Sequence, residues 1–333
     1  MQERQHDRHL DHLIDLLVEH ATVIVSGTKI AAELRVPHST LGEWMERLRE
    51  WGVEVRGFPG SGYQLVKVPD VLTPRAIRRR LPAGPGTGTF GSRVYHFYST
   101  DSTMNEAAHL AVADAPEGTL VVAEEQTAGR GRFGRRWVSE RASGLYFTLI
   151  LRPSLAPAAA PVLTLMAGLA VAEAIQEVTT LATDLRWPND VMIGEKKCAG
   201  ILVEMTAEPA RISHVLVGIG INVNQQRMPA DLGGEATSLF LAAGRSFSRL
   251  EILVLVLKRL EHYYNRLQEA GPQAIVARFE DVSSYARGKR VRITEGSSIM
   301  EGVTDGLTAE GLLLVRRDDG QVERILSGRV RSA

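Results

Sequence analysis

Leu10, Leu13, Ile14, Leu17 and Val18 recur at helical spacing near the start of the chain, which predicts an amphipathic first helix. A second short helix follows Gly27, with Ile30, Ala31 and Leu34 facing inward, and Pro37 ends it. Ser39 or Thr40 can cap a third helix, whose Leu41, Trp44, Met45 and Leu48 share one face. After Gly52 the period changes to two: Val53 and Val55, a turn at Phe58-Pro59-Gly60-Ser61-Gly62, then Tyr63, Leu65 and Val66. Three helices closed by a glycine-tipped hairpin predict a winged helix-turn-helix over residues 1–70.

Residues 71–92 read as a short basic helix (Arg75, Arg78, Arg79, Arg80) followed by a Pro- and Gly-rich flexible linker. From 93 to 285, strand-like runs at 94–98, 119–125, 145–151, 184–187, 199–205 and 212–219 are interspersed with helices at 103–114, 161–178 and 248–269. Together with the short strands and Asp-Gly or Glu-Gly turns of 286–333, which suit a small β-barrel, they predict an α+β chain.

At 333 residues the chain is long enough for two or three domains. Its 39 basic and 39 acidic side chains cancel, which excludes a chain-wide polyanion binder and leaves room for a local basic patch. Cys198 is the single cysteine, so no intrachain disulfide can form, and Met1 to His20 carries charges where a signal peptide would be apolar. Both point to a cytoplasmic protein. The uncharged stretch Pro153–Ala172 has the length of a membrane span. Its three prolines and many alanines predict instead a loop and then a buried helix, hence no membrane association.

Gly129-Arg130-Gly131-Arg132-Phe133-Gly134-Arg135-Arg136-Trp137 is the most informative stretch. Its glycines match the dinucleotide-binding G-x-G-x-x-G, but a strand follows where that fold needs a helix. The composition still suits an anion, because glycines expose backbone N–H groups and guanidinium forks pair with phosphate or carboxylate. Four arginines in seven residues repel one another, which predicts a loop disordered when empty and ordered around an anion. A solvated basic turn or an RNA-contacting segment accounts equally well for the composition.

Five ordered motifs narrow the choice. Asp101-Ser102-Thr103, Gln126-Thr127-Ala128 with the arginine-glycine loop and Trp137, Arg186-Trp187-Pro188-Asn189-Asp190, Lys196 to Glu204, and Gly218-Ile219-Gly220-Ile221-Asn222 resemble the signatures of biotin protein ligases. The domain plan resembles their bifunctional class, which also represses biotin genes. The resemblance covers essentially the whole chain. It implies a mixed-sheet catalytic domain related to class II aminoacyl-tRNA synthetases and lipoate ligases, with an SH3-like C-terminal barrel. It implies biotin and ATP as substrates, Mg2+ as cofactor, a biotin carboxyl carrier protein as acceptor, and a homodimer when biotinyl-AMP is bound.

By the same resemblance Lys197, Arg132 and Arg130 carry catalysis. Ser102, Thr103, Gln126, Gly129, Arg130, Gly131, Arg132, Trp137, Lys197 and Gly200 hold biotin. ATP falls to Arg132, Arg135, Trp137, Asn189, Lys197 and Asn222, and a metal to Asp190. Without the resemblance Lys197 is an exposed hairpin lysine, Ser102 and Thr103 a helix cap, Trp137 a core residue and Asn189-Asp190 a turn. Strand alternation points Lys196 away from Lys197. In the N-terminal domain Ser39, Thr40, Arg47 and Arg56 are the candidate contacts to operator DNA. Its 8 basic and 11 acidic residues over 1–70 give a formal −3, unusual for a DNA reader.

Overall fold

The computed structural model describes residues 2–81, 89–209, 211–232 and 234–333. Three helices open the chain: α1 (Gln2–Glu19), α2 (Gly27–Leu34) and α3 (Thr40–Glu50). Their apolar faces meet where the spacing placed them, with Leu10, Leu13, Leu17, Ile30, Leu41, Met45 and Leu48 buried together. An antiparallel hairpin of β1 (Val55–Phe58) and β2 (Gly62–Leu65) closes this layer. Gly62 sits at φ +134, and a side chain there would strike the Val25 carbonyl, so the hairpin needs glycine at this position.

Ser39 occupies the N-cap position of α3 but its hydroxyl makes no capping bond. The entering turn is already helical, and the carbonyls of Pro37 and His38 accept from the Thr40 and Leu41 N–H groups instead.

The segment after Val71 is less loose than a linker. Leu72 is fully buried, and Thr73 caps α4 (Pro74–Arg78), which buries Ile77. Of the predicted linker, 82–88 lie outside the described residues.

A seven-stranded mixed sheet forms the centre, in the order β3-β4-β5-β9-β8-β7-β6. Its strands are β3 (Val94–Phe97), β4 (Leu120–Ala123), β5 (Leu145–Leu151), β6 (Asp184–Arg186), β7 (Asp190–Ile193), β8 (Lys196–Glu208) and β9 (Arg211–Ile221). Only β3 and β4 are parallel neighbours. Helix α5 (Thr103–Val112) packs on one face against Val121, Ala123, Ile150 and Leu216. The other face lies under α6 (Pro161–Thr179), α8 (Arg249–Ala270) and α9 (Pro272–Val282), with the short α7 (Leu239–Ala243) between α6 and α8 in the chain.

By length and composition α6 could cross a membrane, but Val162, Leu163, Leu165, Met166 and Leu169 are fully buried in the core instead. Strand β7 and helix α9 were not foreseen: β7 has four residues and no readable alternation, and α9 follows Gly271-Pro272, a pair that reads as punctuation.

The last strands, β10 (Arg287–Glu295), β11 (Ser298–Leu307), β12 (Leu313–Arg316), β13 (Val322–Ile325) and β14 (Arg329–Ser332), form a five-stranded antiparallel sheet. This C-terminal sheet is fastened to the centre by Trp187, whose indole N–H donates to the Gly311 carbonyl at 3.0 Å.

Candidate active site

Two clefts meet at one lysine. The smaller is lined by Ser102, Thr103, Gln126, Arg130, Gly200 and Gly220, and the larger, about 190 Å³, by Arg135, Arg186, Asp190, Asn222 and residues of β14. Gly131, Arg132, Trp137, Asn189 and Lys197 line both.

The floor of the smaller cleft is made by absence of side chains. Gly200 and Gly220 pair across β8 and β9, and the Trp137 indole lies on them. A Cβ on Gly220 would come within 2.4 Å of that ring, and one on Gly200 within 2.8 Å of Lys197 Nζ. Lys197 and Gly200 are three residues apart, so a regular strand would send them to opposite faces. The register of β8 on β7 slips by one residue, pairing Met192 with Lys197 but Asp190 with Gly200. That bulge brings Lys197, Gly200 and Asp190 to the same face. Lys196 pairs with Ile193 and is exposed on the other side.

Lys197 Nζ lies 2.6 Å from Asp190 Oδ1 and 5.3 Å from the centre of the Trp137 ring. Arg186, 4% exposed, donates to Asp190 Oδ2 from Nη2 at 2.7 Å and from Nε at 3.2 Å. Burial alone would raise the Asp190 pKa, but the charges of Lys197 and Arg186 hold it below the usual carboxylate range. Asp190 therefore holds the Lys197 ammonium in place at the junction of the two clefts.

This arrangement bears on the expected metal. Both Asp190 oxygens are taken by cations, and no group of three His, Cys, Asp or Glu side chains suited to a metal occurs among the described residues. These residues do not fit a resident magnesium site.

At the inner end, Gln126 Oε1 accepts from the Thr103 N–H at 2.9 Å and from Thr103 Oγ1 at 3.1 Å, while its Nε2 donates to Ser139 Oγ at 2.8 Å. Thr148 Oγ1 in turn donates to Thr103 Oγ1 at 2.9 Å. Ser102 caps α5, its hydroxyl accepting from the Met104 N–H at 3.3 Å. Cap and cleft wall are one residue, so the two readings of Ser102 are compatible.

The arginine-glycine loop is a tight hairpin in this structure, against the expectation of disorder. Gly131 N–H donates to Arg135 O at 2.7 Å and Trp137 N–H to Gly129 O at 2.8 Å. Gly129 faces Trp137 O so closely that a Cβ would sit 2.6 Å away. The repulsion is relieved by partners outside the loop: Arg130 pairs with Glu204 at 3.2 Å and Arg132 Nη1 donates to Asn189 Oδ1 at 3.1 Å. Burial still lowers the Arg132 pKa, only partly opposed by Asp190 and Glu295. An anion arriving there supplies the missing counter-charge.

Asn189 is fixed by its own Nδ2, which donates to Ile201 O at 2.9 Å, and buried Asn222 donates to Thr237 O at 3.0 Å. No motif pointed to Arg329 and Arg331 on β14, which line the larger cleft and pair with Glu235 at 2.5 and 2.6 Å. They lie more than a hundred residues downstream of the five motifs. Ser39, Thr40 and Arg56 sit in the N-terminal layer, remote from these clefts, and Arg47 faces a groove with Trp51, Ser99 and Arg141.

A glycine-floored slot with polar groups at its inner end, opening into a cation-lined cleft and walled by a hairpin of glycine and arginine, suits an enzyme that joins a carboxylate to a nucleotide. Residues 96–222 match the Biotin/lipoate A/B protein ligase family, and 287–330 match the biotin protein ligase C-terminal domain. The bifunctional ligase/repressor BirA of Bacillus subtilis is 38% identical over 321 residues, 95% of this chain and 96% of that one. The biotin–[acetyl-CoA-carboxylase] ligase of Mycobacterium tuberculosis is 32% identical, covering 73% of this chain and 89% of its own. A structure of biotin protein ligase from Aquifex aeolicus in complex with biotin and ATP aligns with a TM-score of 0.63 at 33% identity, over 73% of this chain and 100% of that one. The chain belongs to the biotin protein ligase family.

Proposed function

We propose that this protein adenylates biotin with ATP and transfers the biotinyl group to a lysine of a biotin carboxyl carrier protein. The observation that carries the reading is Lys197, poised by Asp190 where the two clefts join. Biotin fits the smaller cleft, its ureido ring against Ser102, Thr103 and Gln126 and its apolar body over the glycine floor beside Trp137. ATP fits the larger cleft, with Arg132, Arg135, Asn189 and Asn222 around it.

A biotin carboxylate oxygen attacks the α-phosphorus, and the bond to pyrophosphate breaks. Two anions must approach, so the barrier is largely electrostatic. Lys197 and Arg132 lower it by neutralising both, and Arg130 and Gly131 close the entrance. In the second step the carrier's lysine amine attacks the biotinyl carbonyl and AMP leaves with the bonding electrons; the amine loses its proton. Magnesium enters this reading with the nucleotide, since its usual ligands are phosphate oxygens and water.

Replacing Lys197 by Ala abolishes biotinyl-AMP formation in a single-turnover assay, while Lys196→Ala retains it. Equal behaviour of the two variants would contradict the assignment.

The N-terminal layer we read as a winged helix-turn-helix and the C-terminal sheet as an SH3-like barrel. The name of the Bacillus subtilis relative, a bifunctional ligase/repressor, favours a second role as a repressor; we propose that it acts on biotin genes, as a dimer loaded with biotinyl-AMP. Ser39, Thr40 and Arg56 are exposed or half-exposed for operator contact; Arg47, turned toward Trp51 and Arg141, is the weakest of the four.

A further inference from the structure

Arg249 is the largest of the fully buried side chains, 2% exposed, and its partners come from three distant stretches of sequence. Its Nη1 donates to Glu124 Oε2 at 2.6 Å and to the Gly144 carbonyl at 3.3 Å. Its Nε donates to Asp70 Oδ2 at 3.3 Å and its Nη2 to the Asp70 carbonyl. Glu124 Oε1 accepts from the Leu72 N–H at 2.8 Å and from His96 Nε2 at 3.3 Å. His96 Nδ1 donates to Asp11 Oδ1, on α1, at 2.8 Å. Five charges of alternating sign thus run from Asp11 through His96, Glu124 and Arg249 to Asp70. None of the five lines either ligand cleft. Deleting one buried charge strands its neighbour, so the chain holds as a unit.

The stem of the biotin loop hangs on this chain of charges. Glu124 stands two residues before Gln126, its carbonyl accepts from the Ala142 N–H at 3.0 Å, and Gly144 at the far end of the loop is held by Arg249. His96 lies on β3, which leads directly into Asp101-Ser102-Thr103. The outermost members, Asp11 and Asp70, belong to the N-terminal layer and the segment leaving it.

We infer that Glu124 and Arg249 are positioning residues for biotin recognition, and that the N-terminal layer, through Asp11 and Asp70, sets how firmly they hold Gln126 and Thr103. The inference rests on the biotin-ligase reading. It makes docking of the N-terminal layer and binding of biotin mutually reinforcing, as linkage requires.

The test uses the full chain with Asp11→Asn and Asp70→Asn, which keep shape and remove charge. Calorimetry should show biotin Kd raised on the order of tenfold in each. The biotin KM in pyrophosphate exchange should rise in parallel, with ATP KM and kcat at saturating biotin little changed. Arg249→Lys should recover most of the affinity lost in Arg249→Met. If Arg249→Met fails to fold by circular dichroism, the two Asn variants decide alone. Unchanged biotin Kd in both Asn variants would overturn the inference. A wild-type chain that binds biotin but exchanges no pyrophosphate would defeat the ligase reading, and the Kd comparison would still decide this one.

Discussion

Taken singly, Lys197 is a half-exposed strand lysine, and nothing in its own sequence neighbourhood separates it from Lys196. What separates them is the slipped register against β7, which turns one toward Asp190 and leaves the other in solvent. The motif resemblance named Lys197, but its pairing with Asp190 was not legible, because a bulge changes facing without changing composition. Asp190 itself was expected to hold a metal, and the structure gives it two cations instead. Arg132 makes the sharpest test at this scale. It bridges loop and sheet through Asn189, so Arg132→Gly should unfasten the loop and let biotinyl-AMP escape. Incubated with ATP, biotin and bystander proteins, that variant is expected to label their lysines well above the wild-type background. A blot showing no increase would remove the loop from the gating role.

At the scale of elements, the long periodic segments were readable and the short ones were not. Helices α6 and α8 and strand β5 lie where periodicity placed them, because many apolar residues vote together. Strand β7 was hidden inside a stretch that reads as an Asn-Asp turn. The buried charges joining α1, β3, the residue after β4 and α8 were invisible for another reason: their members are scattered from Asp11 to Arg249, and no local pattern marks a charge that will be buried.

These contacts have a predictable pH response. Burial alone would lower the His96 pKa, but Asp11 and Glu124 push it up to about 10 from the ordinary 6.5. A raised folded-state pKa gives stabilisation that is full below about 6.5 and is lost as pH rises through about 10. Burial would likewise raise Glu124, but Arg249 and His96 hold it at about 2, so its contribution is present above 4.5 and lost only on strong acidification. Thermal melts of wild type and His96→Gln from pH 6 to pH 10 should therefore converge at the alkaline end. A gap that stays constant with pH would show that His96 is uncharged in the folded protein.

For the whole molecule, the central and C-terminal layers share one apolar core, while the N-terminal layer keeps its own. Their order along the chain was legible from the change of period at Gly52 and the turn-rich C-terminus, whereas the tightness of the joins was not. The sequence read a linker after Val71, yet Leu72 and Ile77 are buried in the catalytic core. Arginines of β14 line the larger cleft, so removing the C-terminal sheet would open that wall. The N-terminal layer is acidic, which works against phosphate contacts. Fluorescence anisotropy with the protein's own biotin-gene promoter is expected to show salt-sensitive binding that requires biotinyl-AMP. Binding that is absent at low salt with the adenylate present would leave this layer with the docking role alone.

Adenylation of biotin in the two clefts is measured directly by exchange of labelled pyrophosphate into ATP. Exchange is expected to depend on biotin, to fail with lipoate or octanoate, and to disappear in Lys197→Ala. Exchange driven by lipoate, or none at all from a chain that binds biotin, would contradict it.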